Sequence, residues 1–245
     1  MEATLAALAP QLRLSRPTGP LVPVLPALQD FLPERGLRPG AVVSVTGGGT
    51  ALLLALAAAA TSAGTWCAAL GFEGLGLLAA AELGVDLSRL VVVEAPHERW
   101  PEVALALADG FGLLLLRGGP PPGPLAERLA TVARRSGCAV VVSGGWPGAR
   151  VRLRVASQSW EGLGSGRGRL RARRVTVVAG GRGAAARERR VGLWLPDAHG
   201  AVRLDSAAGP PASVAADPLA PVAAEGRQTS TPAPVPSGRG PLVVV

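Results

Sequence analysis

Between residues 41 and 143 the chain alternates short continuous apolar runs with longer segments whose apolar positions recur at helical spacing. The short runs are "AVVSV" (41–45), "TWCAALGF" (65–72), "LVVVEAP" (90–96), "FGLLLLRGG" (111–119) and "CAVVVSGG" (138–145). Each is four to eight residues of apolar character closed by Gly or Pro, the pattern of a strand buried on both faces. Between them "TALLLALAAAATSAG" (50–64), "GLGLLAAAELG" (74–84), "RWPEVALALADG" (99–110) and "PLAERLATVARRSG" (124–137) predict helices, several ended by glycine. Strands alternating with helices of this length predict βαβ units, hence an α/β fold with a mostly parallel central sheet flanked by helices.

After Trp146 the period changes to two. "ARVRLRVASQSWEGL" (149–163) and "GRGRLRARRVTVVAGG" (166–181) alternate arginine with apolar residues, which predicts a C-terminal antiparallel hairpin over 150–180. Strict alternation places Arg150, Arg152 and Arg154 on one face, and Arg167, Arg169, Arg171 and Arg173 on one face, with Arg174 beside them. "RERRVGLWLPDAHG" (187–200) reads as a last strand. The organisation expected is an N-terminal segment (1–30), a core (31–200) and a Pro/Ala-rich disordered tail (201–245). That tail ends in the apolar cluster Leu242, Val243, Val244 and Val245, which has the β-propensity to dock on a partner.

Composition sharpens the chemistry. All 25 Lys+Arg residues are arginines, and Ile, Asn and Tyr are also absent, a bias that fits a GC-rich genome. Residues 150–190 hold twelve arginines against Glu161 and Glu188, so thirteen arginines face fifteen carboxylates elsewhere and the +8 net charge is one basic patch. Such a patch suits nucleic-acid phosphates or an acidic partner protein. Cys67 and Cys138 sit beside strand-like runs and read as small buried hydrophobes, and His97 and His199 have no companion ligands. No signal peptide or membrane span fits, so a cytoplasmic location is the expectation.

The junction "VVSVTGGGTALLLALAAAATSAG" (42–64) is a buried strand, a glycine turn and an apolar helix, the outline of a nucleotide site. A phosphate loop needs G-x-x-x-x-G-K-[ST], whose backbone N–H groups cradle the phosphates while lysine neutralises them. Here the turn is only Gly47, Gly48, Gly49 and Thr50, and no lysine exists anywhere in the chain. The order of elements and the strings "GLRPGAVVSVTG" (36–47), "GTWCAALGFEG" (64–74) and especially "LGVDLSRLVVVEAP" (83–96) resemble the RecA recombinase core. Against that family, the phosphate loop is shortened, Arg117 stands where the metal-shell aspartate belongs, and Glu73 falls near the catalytic glutamate with nothing to activate.

Within the RecA class the chain most resembles the degenerate accessory proteins of bacterial mutagenesis cassettes, ImuA and its actinobacterial counterpart ImuA-prime. The resemblance implies a non-catalytic adaptor in SOS-induced translesion DNA synthesis, without cofactor, metal or catalytic residue. Its implied partners are an ImuB-like Y-family polymerase homologue and, through it, an error-prone C-family polymerase. A divergent DNA-dependent ATPase of the RecA class and an SOS cell-division inhibitor are the alternatives.

Overall fold

The computed structural model describes residues 20–118, 123–164, 167–206 and 212–214. The tail cluster at 242–245 therefore lies outside the described residues, as does the side chain of Arg167. The elements in chain order are α1 (Pro26–Gln29), β1 (Val42–Thr46), α2 (Thr50–Ser62), β2 (Cys67–Leu70), α3 (Leu77–Glu82), β3 (Leu90–Val93), α4 (Trp100–Gly110), β4 (Leu113–Arg117), α5 (Gly123–Ser136) and β5 (Ala139–Ser143). They are followed by β6 (Val151–Gly164), β7 (Arg167–Gly181), β8 (Glu188–Trp194), β9 (Arg203–Leu204) and β10 (Ala212–Val214).

One sheet runs in the order β10-β8-β7-β6-β1-β5-β4-β2-β3, with β9 added on β8. Strands β6, β1, β5, β4, β2 and β3 are mutually parallel, and β7, β8, β9 and β10 continue the sheet antiparallel. The α/β class and the antiparallel C-terminal hairpin expected from the pattern are both present.

Strands β1 to β5 are apolar except at Ser44 and at the end residues Thr46, Arg117 and Ser143, because both faces are covered. On one face Val43, Val45, Cys67, Ala69, Leu113, Leu115, Ala139 and Val141 join α2 and the segment Val22, Val24, Leu28, Phe31, Leu32 and Leu37 in a single cluster. On the other, Leu114, Leu116, Val140 and Val142 pack with Val103, Leu107, Leu129 and Ala133 of α4 and α5. The first cluster extends across Val151, Leu153, Val175, Val177, Val191 and Leu193, whereas the second takes in no residue of β6, β7 or β8. The antiparallel half is thus backed by apolar packing on one face only, which is why its sequence alternates.

Two boundaries differ from the sequence reading. The core begins near Val22 rather than residue 31, because the proline-rich segment buries its apolar side chains and closes on itself through reciprocal Val22–Leu37 backbone hydrogen bonds of 2.8 and 2.9 Å. The stretch expected to be a disordered tail from residue 201 contains β9 and β10, both paired to β8. The free edge of β8 recruits these strands, a tertiary cause that local composition does not register.

Candidate functional site

Strand β1 enters its turn through Gly47 (φ 83°) and Gly48 (φ 82°), two successive left-handed residues that only glycine adopts without cost. Gly49 then caps α2, with no side chain bonded to the exposed helix N–H groups, and Thr50 opens the helix. The turn is tight for a further reason. A Cβ at Gly47 would overlap the carbonyl oxygen of Val155, so the β6 backbone passes directly against the loop.

The arginine at the end of β4 reaches this turn across the end of β5. Arg117 Nη2 donates a 2.7 Å hydrogen bond to Thr50 Oγ1, and its guanidinium lies 5.3 Å from the Phe72 ring centroid. A cation therefore stands at the N-terminus of α2, where a phosphate or its metal would sit in a nucleotide-bound RecA-type site. The cation–π contact and the hydroxyl acceptor offset the unfavourable helix dipole at that position. Glu73 is exposed in the turn after β2, and no group of three or more metal-ligating side chains occurs among the described residues. Trp100 contributes a buried indole N–H without a hydrogen-bond partner at the same end of the sheet. The signal for Arg117 was legible as an arginine in an aspartate's place, but neither Phe72 nor Thr50 was identifiable as its partner.

The hairpin arginines do not form one surface. Arg150 pairs with Glu34 and is half-buried, tying the N-terminal segment to the sheet. Arg174 sits 3.1 Å from Asp205 and 4.7 Å over Trp194. A bulge between Val155 and Ser157 reverses the alternation of β6. As a result Arg152 and Arg154 share a face with Val178 and Gly180, while Trp160 and Arg173 lie opposite each other on the other face. Arg152, Arg169 and Arg171 are exposed, and Arg154 is half-buried with an unpaired Nε. Arg152 and Arg154 thus keep one face as expected, and Arg173 of the second row lies on the other, because the β7 residues opposite Arg152 and Arg154 are even-numbered. The bulge moves Trp160 to the Arg173 face, and long-range carboxylates pair with Arg150 and Arg174.

Cys67 and Cys138 are fully buried, and desolvation pushes both thiols far above the ordinary cysteine range, so they are inert packing groups. Asp197 closes the loop after β8: burial opposes its ionisation, but hydrogen bonds from the His199 and Ala201 N–H groups outweigh this and lower its pKa.

The chain matches the family described as the MT3502 N-terminal domain over residues 30–148. It is 40% identical over 139 residues to the uncharacterised protein Rv3395c of Mycobacterium tuberculosis, a match covering 56% of this chain and 64% of that protein. The match thus spans less than two thirds of that relative's length. Among solved structures it resembles the RadB recombinase, with a TM-score of 0.54, 13% identity, and coverage of 74% of this chain and 97% of RadB. The flagellar accessory protein FlaH from Methanocaldococcus jannaschii gives a TM-score of 0.48 at 8% identity, covering 70% and 94%. No helix among the described residues is long and apolar enough to cross a membrane. The sheet order, its helical layers and the superposition on RadB establish that this chain has the RecA-type fold.

Proposed function

We propose that the chain is a non-catalytic RecA-like accessory protein of damage-induced translesion synthesis, serving as a platform for an ImuB-like Y-family polymerase homologue. The observation that carries this reading is the Arg117–Thr50 hydrogen bond, which puts a guanidinium where phosphate and metal chemistry would require room and a carboxylate. A fold of this size retained without that chemistry is best explained by its surfaces. The absence of lysine from the whole chain and the four-residue turn support the same conclusion.

The test is reconstitution with the partner. Full-length chain mixed with an ImuB-like protein from the same genome is expected to co-elute as a defined complex, with or without Mg²⁺-ATP. Deletion of the gene is expected to abolish damage-induced mutation while leaving recombination intact. Absence of a complex together with normal induced mutagenesis in the deletion strain would reject the proposal.

A further inference from the structure

Beyond residue 154 strand β6 leaves β1 and pairs only with β7, while β7 stays bonded to β8 as far as Arg174 and to Leu195 and Pro196 at Arg173. The hairpin therefore stands clear of the sheet as a two-stranded ribbon only beyond Glu161 and Ala172, with Trp160 and Arg173 at its base. Its exposed side chains are unusual for a bare surface. Trp160 is 47% exposed, Leu163 61% and Leu170 50%, and Arg169 and Arg171 are exposed beside them. Glu161 is the one carboxylate between residues 151 and 187, and its cross-strand partner Ala172 places it on the face opposite Trp160.

Arg173 makes this ribbon a built feature. It is only 9% exposed, its guanidinium lies 5.6 Å from the Trp160 ring centroid, and its Nε and Nη2 have no hydrogen-bond partner among the described residues. A buried, unneutralised arginine is costly, and burial accordingly lowers its pKa. The arrangement holds the indole in place with one side on a cation, leaving the ring nearly half exposed at a strongly positive surface.

We propose that the outer β6–β7 ribbon binds single-stranded nucleic acid, with a base stacked on Trp160, the phosphate backbone on Arg169 and Arg171, and Arg173 fixing the indole. Charge complementarity selects an anionic ligand, and the exposed aromatic ring selects one with stacking faces. An acidic peptide added as a further strand fits less well, because irregularities at Val155/Ser157 and Glu161/Leu163 interrupt the free β6 edge. The binding requires no nucleotide, so its outcome is separate from whether Mg²⁺-ATP binds.

Fluorescence anisotropy with a labelled oligothymidine, the matching duplex and polyglutamate as competitor tests this on the full-length chain. Oligothymidine is expected to bind more tightly than duplex. Trp160→Ala is expected to weaken binding about tenfold or more, and Trp160→Phe to restore most of it. Arg169→Glu/Arg171→Glu is expected to reduce the slope of log K against log salt by about 1.4, since each single-strand phosphate contact contributes ~0.7. Melting temperatures unchanged by these exposed substitutions confirm that folding is intact. No binding at low salt, preference for duplex, indifference to Trp160→Ala, or displacement by polyglutamate as effective as by unlabelled oligothymidine would each overturn the proposal.

Discussion

Replacing Gly47 with alanine is expected to destabilise the fold by roughly 2–5 kcal/mol, combining left-handed backbone strain with forced displacement of β6. The same change at Gly48 is expected to cost about 1–2 kcal/mol, backbone strain alone. The difference arises because a Cβ at Gly48 meets nothing within 4 Å, whereas at Gly47 it strikes the Val155 carbonyl, a backbone atom that cannot rotate aside. Parallel pairing from Val43↔Val151 to Thr46↔Arg154 would have to loosen to admit the methyl group. Urea denaturation of the two variants measures the ordering directly. Equal losses would show that the close approach of loop and ribbon does not determine why glycine stands at position 47. The glycine turn thus serves packing, a role that needs no lysine beside it.

Leu56→Ala is expected to cost roughly 2–5 kcal/mol, the range for deleting a fully buried leucine side chain. Nine of the thirteen residues of α2 are buried, so this helix has no broad solvent face. It shares one cluster with β1, β2, β4 and β5, with Val22 to Leu37 and with Ala80, Leu83 and Val85. At about 2–4 °C per kcal/mol, the melting temperature should fall by roughly 5–15 °C. A loss within about 0.5 kcal/mol, as at an ordinary surface position, would mean that α2 is not enclosed in this way.

The parallel half of the fold was legible because each βα unit carries its own pattern: "AVVSV", "LVVV" and "LLLL" are near-continuous apolar runs, and a strand of that kind requires cover on both faces. The antiparallel half was legible as a hairpin but not in its facing. Alternation counted along the sequence has no means of registering the bulge after Val155, and one extra residue sends every later side chain to the other side. Pairings across long separations were equally hidden. Arg150 meets Glu34 from 116 residues away, and Arg174 meets Asp205 beyond the next strand. The N-terminal segment was misjudged because its prolines mask apolar residues that cover the β6–β8 half, and β10 was missed because its pairing is dictated by β8. At the candidate site, the sequence revealed what was missing from the phosphate loop. Only the structure revealed that Arg117 uses the vacated position to bond Thr50 across the end of β5.

Isothermal titration calorimetry of the purified full-length chain with Mg²⁺-ATP shows whether the turn before α2 still takes a nucleotide. With Arg117 bonded to Thr50 at 2.7 Å and no lysine in the chain, no saturable binding is expected at nucleotide concentrations up to the millimolar range. Saturable, Mg²⁺-dependent binding at micromolar concentration, lost in Thr50→Ala, would contradict this expectation and return the chain to the nucleotide-binding members of its fold.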